Sequence, residues 1–89
     1  MEFEWDPEKA ESNFQKHRIR FFEAASVFID DALVTVFDES TQEDRYIGIG
    51  RDYMGRVLFV VYTARGERIR LISARKAKAN ELRQYEKRR

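Results

Sequence analysis

A change of hydrophobic period after Asp30-Asp31 constrains this chain more than any other feature. Before it, Ala10, Phe14 and His17 share one helical register, and Phe21, Ala24, Ala25 and Phe28 share a second. That spacing predicts two amphipathic helices, the second over Phe21 to Phe28. After it come four short runs that read as strands: Leu33 to Phe37, Tyr46 to Gly50, Val57 to Thr63 and Arg68 to Ser73. Polar segments separate them, around Asp38–Asp44, Arg51–Gly55 and Ala64–Glu67, and connections this short favour an antiparallel meander. Val57 to Tyr62 is apolar at successive positions, as a central strand covered on both faces requires. In the last run Ile69 and Leu71 alternate with Arg68 and Arg70, so one face is apolar and the other cationic.

The two ends complete the pattern. Phe3-Glu4-Trp5 reads as a short extended entry. Asp6 can cap a helix through its carboxylate, Pro7 suits the first helical position, and Trp5 is placed to pack near Ala10. The segment from Ala74 to about Lys87 is predicted as a third helix, with Ala74, Ala77, Leu82 and Tyr85 on its apolar stripe. The resulting order, β-α-α-β-β-β-β-α, is an α+β arrangement within one domain spanning residues 1–89. It comprises two N-terminal helices, a four-stranded mainly antiparallel sheet with a short N-terminal strand, and a C-terminal helix.

With 89 residues, 43% of them hydrophobic and 37% charged, the chain can build one modest core under a heavily solvated surface. It has no cysteine, which removes disulfides, thiolate zinc sites and thiol nucleophiles from consideration. No apolar run approaches the roughly 20 residues needed to cross a bilayer. Met1 to Trp5 lacks the basic and apolar segments of a secretory signal, so a cytoplasmic protein with no membrane partner is expected. The net charge of +1 conceals a strong asymmetry. Residues 1–64 carry 7 Lys/Arg against 13 Asp/Glu, and residues 65–89 carry 10 against 3. That split predicts either a positive surface that attracts phosphate or a basic helix that is merely solvated.

Longer segments carry a family resemblance. Phe3-Glu4-Trp5-Asp6-Pro7-Glu8-Lys9-Ala10, then Asn13 and Lys16-His17, resembles the N-terminal signature of the BrnT toxins. Phe22 to Phe28 with Asp30 continues it, as do Glu43-Asp44-Arg45, Gly48, Gly55-Arg56-Val57-Leu58 and Val60-Val61-Tyr62-Thr63. Arg70 to Ala77, then Glu81 and Tyr85, close a match that runs in order along nearly the whole chain. The resemblance implies a RelE-like ribonuclease that acts on RNA and inhibits translation. It further implies a BrnA-like ribbon-helix-helix antitoxin as partner, with DNA met only indirectly through that antitoxin. One departure stands out. The family commonly reads Lys-His-Gly-Val where this chain has Lys16-His17-Arg18-Ile19. A glycine there suits a left-handed helix stop, so Arg18 implies another ending or a strained one, and adds a positive charge beside His17.

Metal-free RNA cleavage needs a group to deprotonate the 2′-hydroxyl, cations to stabilise the charged phosphorane, and an acid for the leaving 5′-oxygen. The chain has no HExxH, Gly-rich phosphate loop or serine elbow, and its isolated carboxylates suggest no metal set, so neither metal nor cofactor is expected. Arg70 and Arg75 are the first candidates for the cationic role, because arginine offers permanent charge and a planar fork matched to phosphate. Arg68 shares the strand face of Arg70, and Arg75 is expected at a helix entrance, where backbone N–H groups also favour anions. The plainer alternative is an exposed row of arginines paired with Glu67 or Glu43.

His17 is the only histidine, the side-chain type whose unperturbed form exchanges a proton near neutrality. It serves either as general acid or base, or as a helix-end residue bonded to a carbonyl. Lys16 and Lys76 are candidates for phosphate contact. Glu43, beside Arg45 at a strand start, either orients an arginine, takes a proton, or is a surface carboxylate near a turn. Tyr85 either stacks on a base or packs in the core, and Arg56 is undecided. The competing functions are a non-catalytic RNA- or ribosome-binding protein and a protein-interaction module of the same fold.

Overall fold

The fold, seen in a computed structural model, is described for residues 1–39 and 44–88. Its first helix, α1 (Pro7–His17), begins as the sequence requires. The Asp6 carboxylate accepts the Glu8 N–H at 2.9 Å, and Pro7 opens the first turn without an N–H to satisfy. Its other end is the strained alternative. Arg18 adopts the left-handed conformation at φ 60°, donating its N–H to the Phe14 carbonyl at 2.8 Å. The Arg18 and Arg20 guanidiniums then lie over the Phe14 ring, 5.3 and 3.8 Å from its centroid.

The predicted second helix is present but changes pitch. Helix α2 spans Phe21–Ala25, and Ser26–Ile29 tightens into a single 3-10 turn. Phe21, Ala24 and Val27 are buried, and Phe28 packs against the same core. Space forces this close packing. At Gly50 an added Cβ would lie 2.8 Å from Leu33 Cδ1 and 3.2 Å from Val27 Cβ, so only glycine lets the turn approach the sheet.

Five strands follow the predicted positions: β1 (Glu2–Glu4), β2 (Val34–Asp38), β3 (Arg45–Arg51), β4 (Val57–Arg65) and β5 (Arg68–Lys76). The sheet order is β1-β5-β4-β3-β2. The meander is antiparallel, but β1 joins β5 in parallel, so the sheet is mixed and five-stranded. The central position predicted for the Val57 run holds, since β4 lies third of five.

The largest departure is at the C-terminal end. Ala74, Arg75 and Lys76 do not start a helix; they continue the ladder opposite Val60, Phe59 and Leu58. The Ala77 N–H extends it with a 2.9 Å bond to the Val57 carbonyl. Helix α3 therefore begins only at Ala79 and runs to Arg88. Of the predicted apolar stripe, only Leu82 and Tyr85 belong to it. Ladder bonds to a central strand outweigh the helix propensity of two alanines.

Alternation assigns the two faces. Leu58, Val60 and Tyr62 of β4, with Leu71 and Ala74 of β5, meet Ile19, Phe21, Ala24 and Val27 in the main core. Phe59, Val61 and Thr63 point the other way. On that opposite face Ile49 is buried, and α3 is the helix that contacts β3 and β2 there.

Candidate active site

The register of β5 shifts at Val61/Tyr62: Val61 pairs with Ser73 and Tyr62 with Leu71, leaving Ile72 as the extra residue. This bulge matters for the predicted arginines. Five positions apart, Arg70 and Arg75 would fall on opposite faces of a regular strand. With one residue inserted they share the face opposite the main core, as the burial of both Leu71 and Ala74 requires.

Sharing a face does not bring them to one point. Their partners on β4, Thr63 and Phe59, are four residues apart, about 13 Å at the usual strand rise. Each guanidinium holds its own carboxylate. Arg70 Nη1 donates to Glu4 Oε2 at 2.9 Å, and Arg68 Nη1 lies 3.8 Å from Glu4 Oε1. Arg75 holds Glu81 with two bonds, Nη1 to Oε1 at 2.8 Å and Nη2 to Oε2 at 2.9 Å, and its guanidinium lies 4.0 Å from the Phe59 ring centroid.

Arg75 belongs instead with residues from the N-terminal half. Lys16, His17 and Arg18 at the end of α1 face Arg75 and Lys76 at the end of β5 and Lys78 just before α3. Together with Arg56 they line an open cleft of about 440 Å³. No carboxylate lines it among the described residues. Lys16, Arg18, Lys76 and Lys78 are exposed, and His17 is partly so. Arg56 is less available. Its Nη2 lies 2.7 Å from the buried Asp52 and 3.4 Å from Glu23, and its Nε donates to Asp52 at 2.9 Å. Burial opposes its charge, but these carboxylates raise its pKa above the ordinary arginine value.

The cleft lies beside the start of α3, though not as the sequence suggested. Arg75 is a strand residue, and the N-terminal end of α3 already holds a carboxylate. Glu81 Oε1 accepts the Lys78 N–H at 2.8 Å, the reach-back half of a capping box. The Arg75 fork holds the Glu81 carboxyl below the usual glutamate range, against the opposing effect of burial. Arg75 is raised in turn, chiefly by the same bonds.

Of the sequence-derived candidates, the cleft gathers His17, Arg75, Lys16 and Lys76, while Arg68 and Arg70 stand at the β1 edge. Tyr85 has no open face for a base. It is 1% exposed, its hydroxyl donates to Asp30 Oδ2 at 2.6 Å, and Arg51 lies over its ring at 5.8 Å. Core packing is its place. Glu43 lies outside the described residues. Glu81 belongs to the family match but, like Lys78, carries no site role in the sequence reading: the signal was their spacing of three, which lysine, a poor capping residue, obscured. Among the described residues no three His, Asp or Glu side chains gather as a metal would need, and no helix is long and apolar enough to cross a membrane.

The chain is similar in structure to the Brucella abortus ribonuclease toxin BrnT, known from a 1.1 Å crystal structure. The TM-score is 0.70 at 25% sequence identity, over 88% of this chain and 97% of that one. Comparison with curated protein sequences gives no significant match. Residues 5–81 match the family described as the ribonuclease toxin BrnT of type II toxin–antitoxin systems, and the chain therefore belongs to the BrnT family.

Proposed function

We propose that this protein is a RelE-like endoribonuclease that cuts RNA without a metal ion, in the cleft between α1 and the end of β5. The observation that carries the reading is the meeting of His17 and Arg75 in a cleft that, among the described residues, is lined by cationic or proton-exchanging side chains. In the reaction, His17 takes the proton of a 2′-hydroxyl, and the freed oxygen attacks the adjacent phosphorus. Arg75 and Lys16 stabilise the added negative charge of the phosphorane. The P–O5′ bond then breaks, and a lysine ammonium across the cleft, Lys76 or Lys78, protonates the leaving oxygen. The products are a 2′,3′-cyclic phosphate and a 5′-hydroxyl. Arg70 and Arg68, on the same sheet face, hold neighbouring phosphates of the strand.

Family membership implies an antitoxin, and we take it to be BrnA-like, covering this cleft with a net acidic segment. RNA cleavage in the cytoplasm then inhibits translation whenever the antitoxin is lost. Purified protein incubated with end-labelled RNA in excess EDTA tests the proposal. Fragments ending in cyclic phosphate are expected from the native protein and not from Arg75→Ala. RNA that is shifted on a gel yet intact would instead establish the non-catalytic binder.

A further inference from the structure

Arginine carries five N–H groups in one plane, arranged as two forks and one outer donor. Three of those on Arg75 are already committed. Nη1 and Nη2 hold the two oxygens of Glu81 at 2.8 and 2.9 Å, and Nη1 also donates to the Lys76 carbonyl at 3.2 Å. What remains is Nε–H and the second N–H of Nη2. These two form the second fork, whose spacing matches two oxygens of one phosphate. The Phe59 ring 4.0 Å away fixes the plane of the guanidinium. Glu81 is itself fixed, since the Lys78 N–H holds its Oε1 and only 8% of the residue is exposed.

We propose that Glu81 is a positioning residue, which occupies one fork of Arg75 so that the other is presented to a phosphodiester in the cleft. The proposal rests on the reading of the cleft as the RNA-cleaving site. Electrostatics alone argues against a carboxylate here, because it neutralises one of the cations that attract RNA. Its presence is accounted for by orientation, since an unheld arginine side chain would spread its charge over many rotamers.

The two roles predict opposite outcomes for Glu81→Gln. Glutamine keeps an oxygen for the Lys78 N–H, but its amide donors face the donors of Arg75. Net charge beside the cleft rises by one. A purely electrostatic or structural role predicts lower KM and unchanged kcat in the folded variant. Positioning predicts a kcat lower by about 10-fold or more with KM unchanged or lower. An unchanged kcat overturns the proposal while leaving the nuclease reading intact, and native protein that cuts no RNA overturns that reading first.

A second measurement needs no variant and no cleavage. In the native protein, titration with inorganic phosphate should shift the Arg75 Nε–H resonance and leave the Glu81 carboxyl carbon in place. A silent Arg75 Nε–H, or a Glu81 carboxyl that moves as though released, overturns the proposal.

Discussion

The side-chain amide of Asn13 bonds to Ala74 as a neighbouring strand would, donating through Nδ2 to its carbonyl at 2.9 Å and accepting its N–H on Oδ1 at 3.0 Å. The edge of β5 is open here, because β1 pairs with it only as far as Arg70. Asn13 closes that edge and also donates to the Ile19 carbonyl at 3.0 Å, just past the end of α1. The helix is thereby fixed beside β5, and its next turn brings Lys16, His17 and Arg18 opposite Arg75. One buried amide thus joins the two halves of the cleft.

Asn13→Ala should therefore be costly. Asn13 is 7% exposed, and its loss leaves one N–H and two carbonyls without these partners in a buried setting. Each such group costs about 1–3 kcal/mol, so a loss of about 3 kcal/mol is expected even if water reaches some of them. Urea denaturation of native and variant protein checks this. A loss under about 1 kcal/mol would mean that the amide is not what joins α1 to β5.

Arg18→Gly should separate stability from RNA binding. A left-handed backbone costs an L-residue about 1–2 kcal/mol, and glycine gives back part of that relief through its greater freedom when unfolded. The net expectation is a gain of about 0.5–1 kcal/mol in denaturation. The same change removes one cation from the cleft. The slope of log affinity against log salt for single-stranded RNA should fall by about 0.7. A variant that is more stable and binds RNA with an unaltered salt slope would place Arg18 outside the RNA path.

Much of the fold was legible because its signals are local. The change of period after Asp31, the Asp6-Pro7 start and the apolar run of β4 each report on their own neighbourhood, and each has its element in the structure. The end of β5 was not legible, because Ala74 to Lys76 are held by pairing with Leu58 to Val60, more than a dozen residues away. The site divided in the same way. Lys16, His17, Arg75 and Lys76 could be chosen by residue type, but their meeting depends on Asn13, whose partners lie 6 and 61 positions along the chain. Arg70 and Arg75 share a face only through the bulge at Ile72, which carries no glycine to announce it.

Acid should weaken α3 at both ends. The Arg75 fork lowers Glu81, and at the far end Asp30 is also lowered. There burial pushes upward, but the bonds from the Tyr85 hydroxyl and the Arg51 and Ala32 N–H groups outweigh it. A carboxyl lowered in the folded state contributes stability that is full above its unfolded value, and loses it as pH falls through the folded one. The window therefore opens near the ordinary carboxylate values of about 3.9–4.3 and extends below them. Stability measured from pH 7 downward should hold to about pH 5 and then decline. In Glu81→Gln the decline should be shallower, since one of the two groups no longer titrates. An equally steep decline in that variant would remove Glu81 from the acid response.

The placement of His17, Arg75 and Arg70 predicts three different kinetic faults. On the proposed reading, Arg75→Ala takes away charge stabilisation at the reacting phosphate, so kcat should fall by about 100-fold or more, with growth inhibition lost on expression. Arg70 stands about 13 Å away along the sheet and is held to Glu4, so Arg70→Ala should chiefly raise KM. His17→Gln keeps a hydrogen-bonding side chain at the helix end but removes the proton carrier. As the base, His17 should be indispensable to the chemical step, and kcat should fall by about 100-fold or more. A loss of less than about 10-fold would return His17 to a structural role at the end of α1. Steady-state cleavage of one RNA by the three variants, each checked for native thermal unfolding, decides among these outcomes.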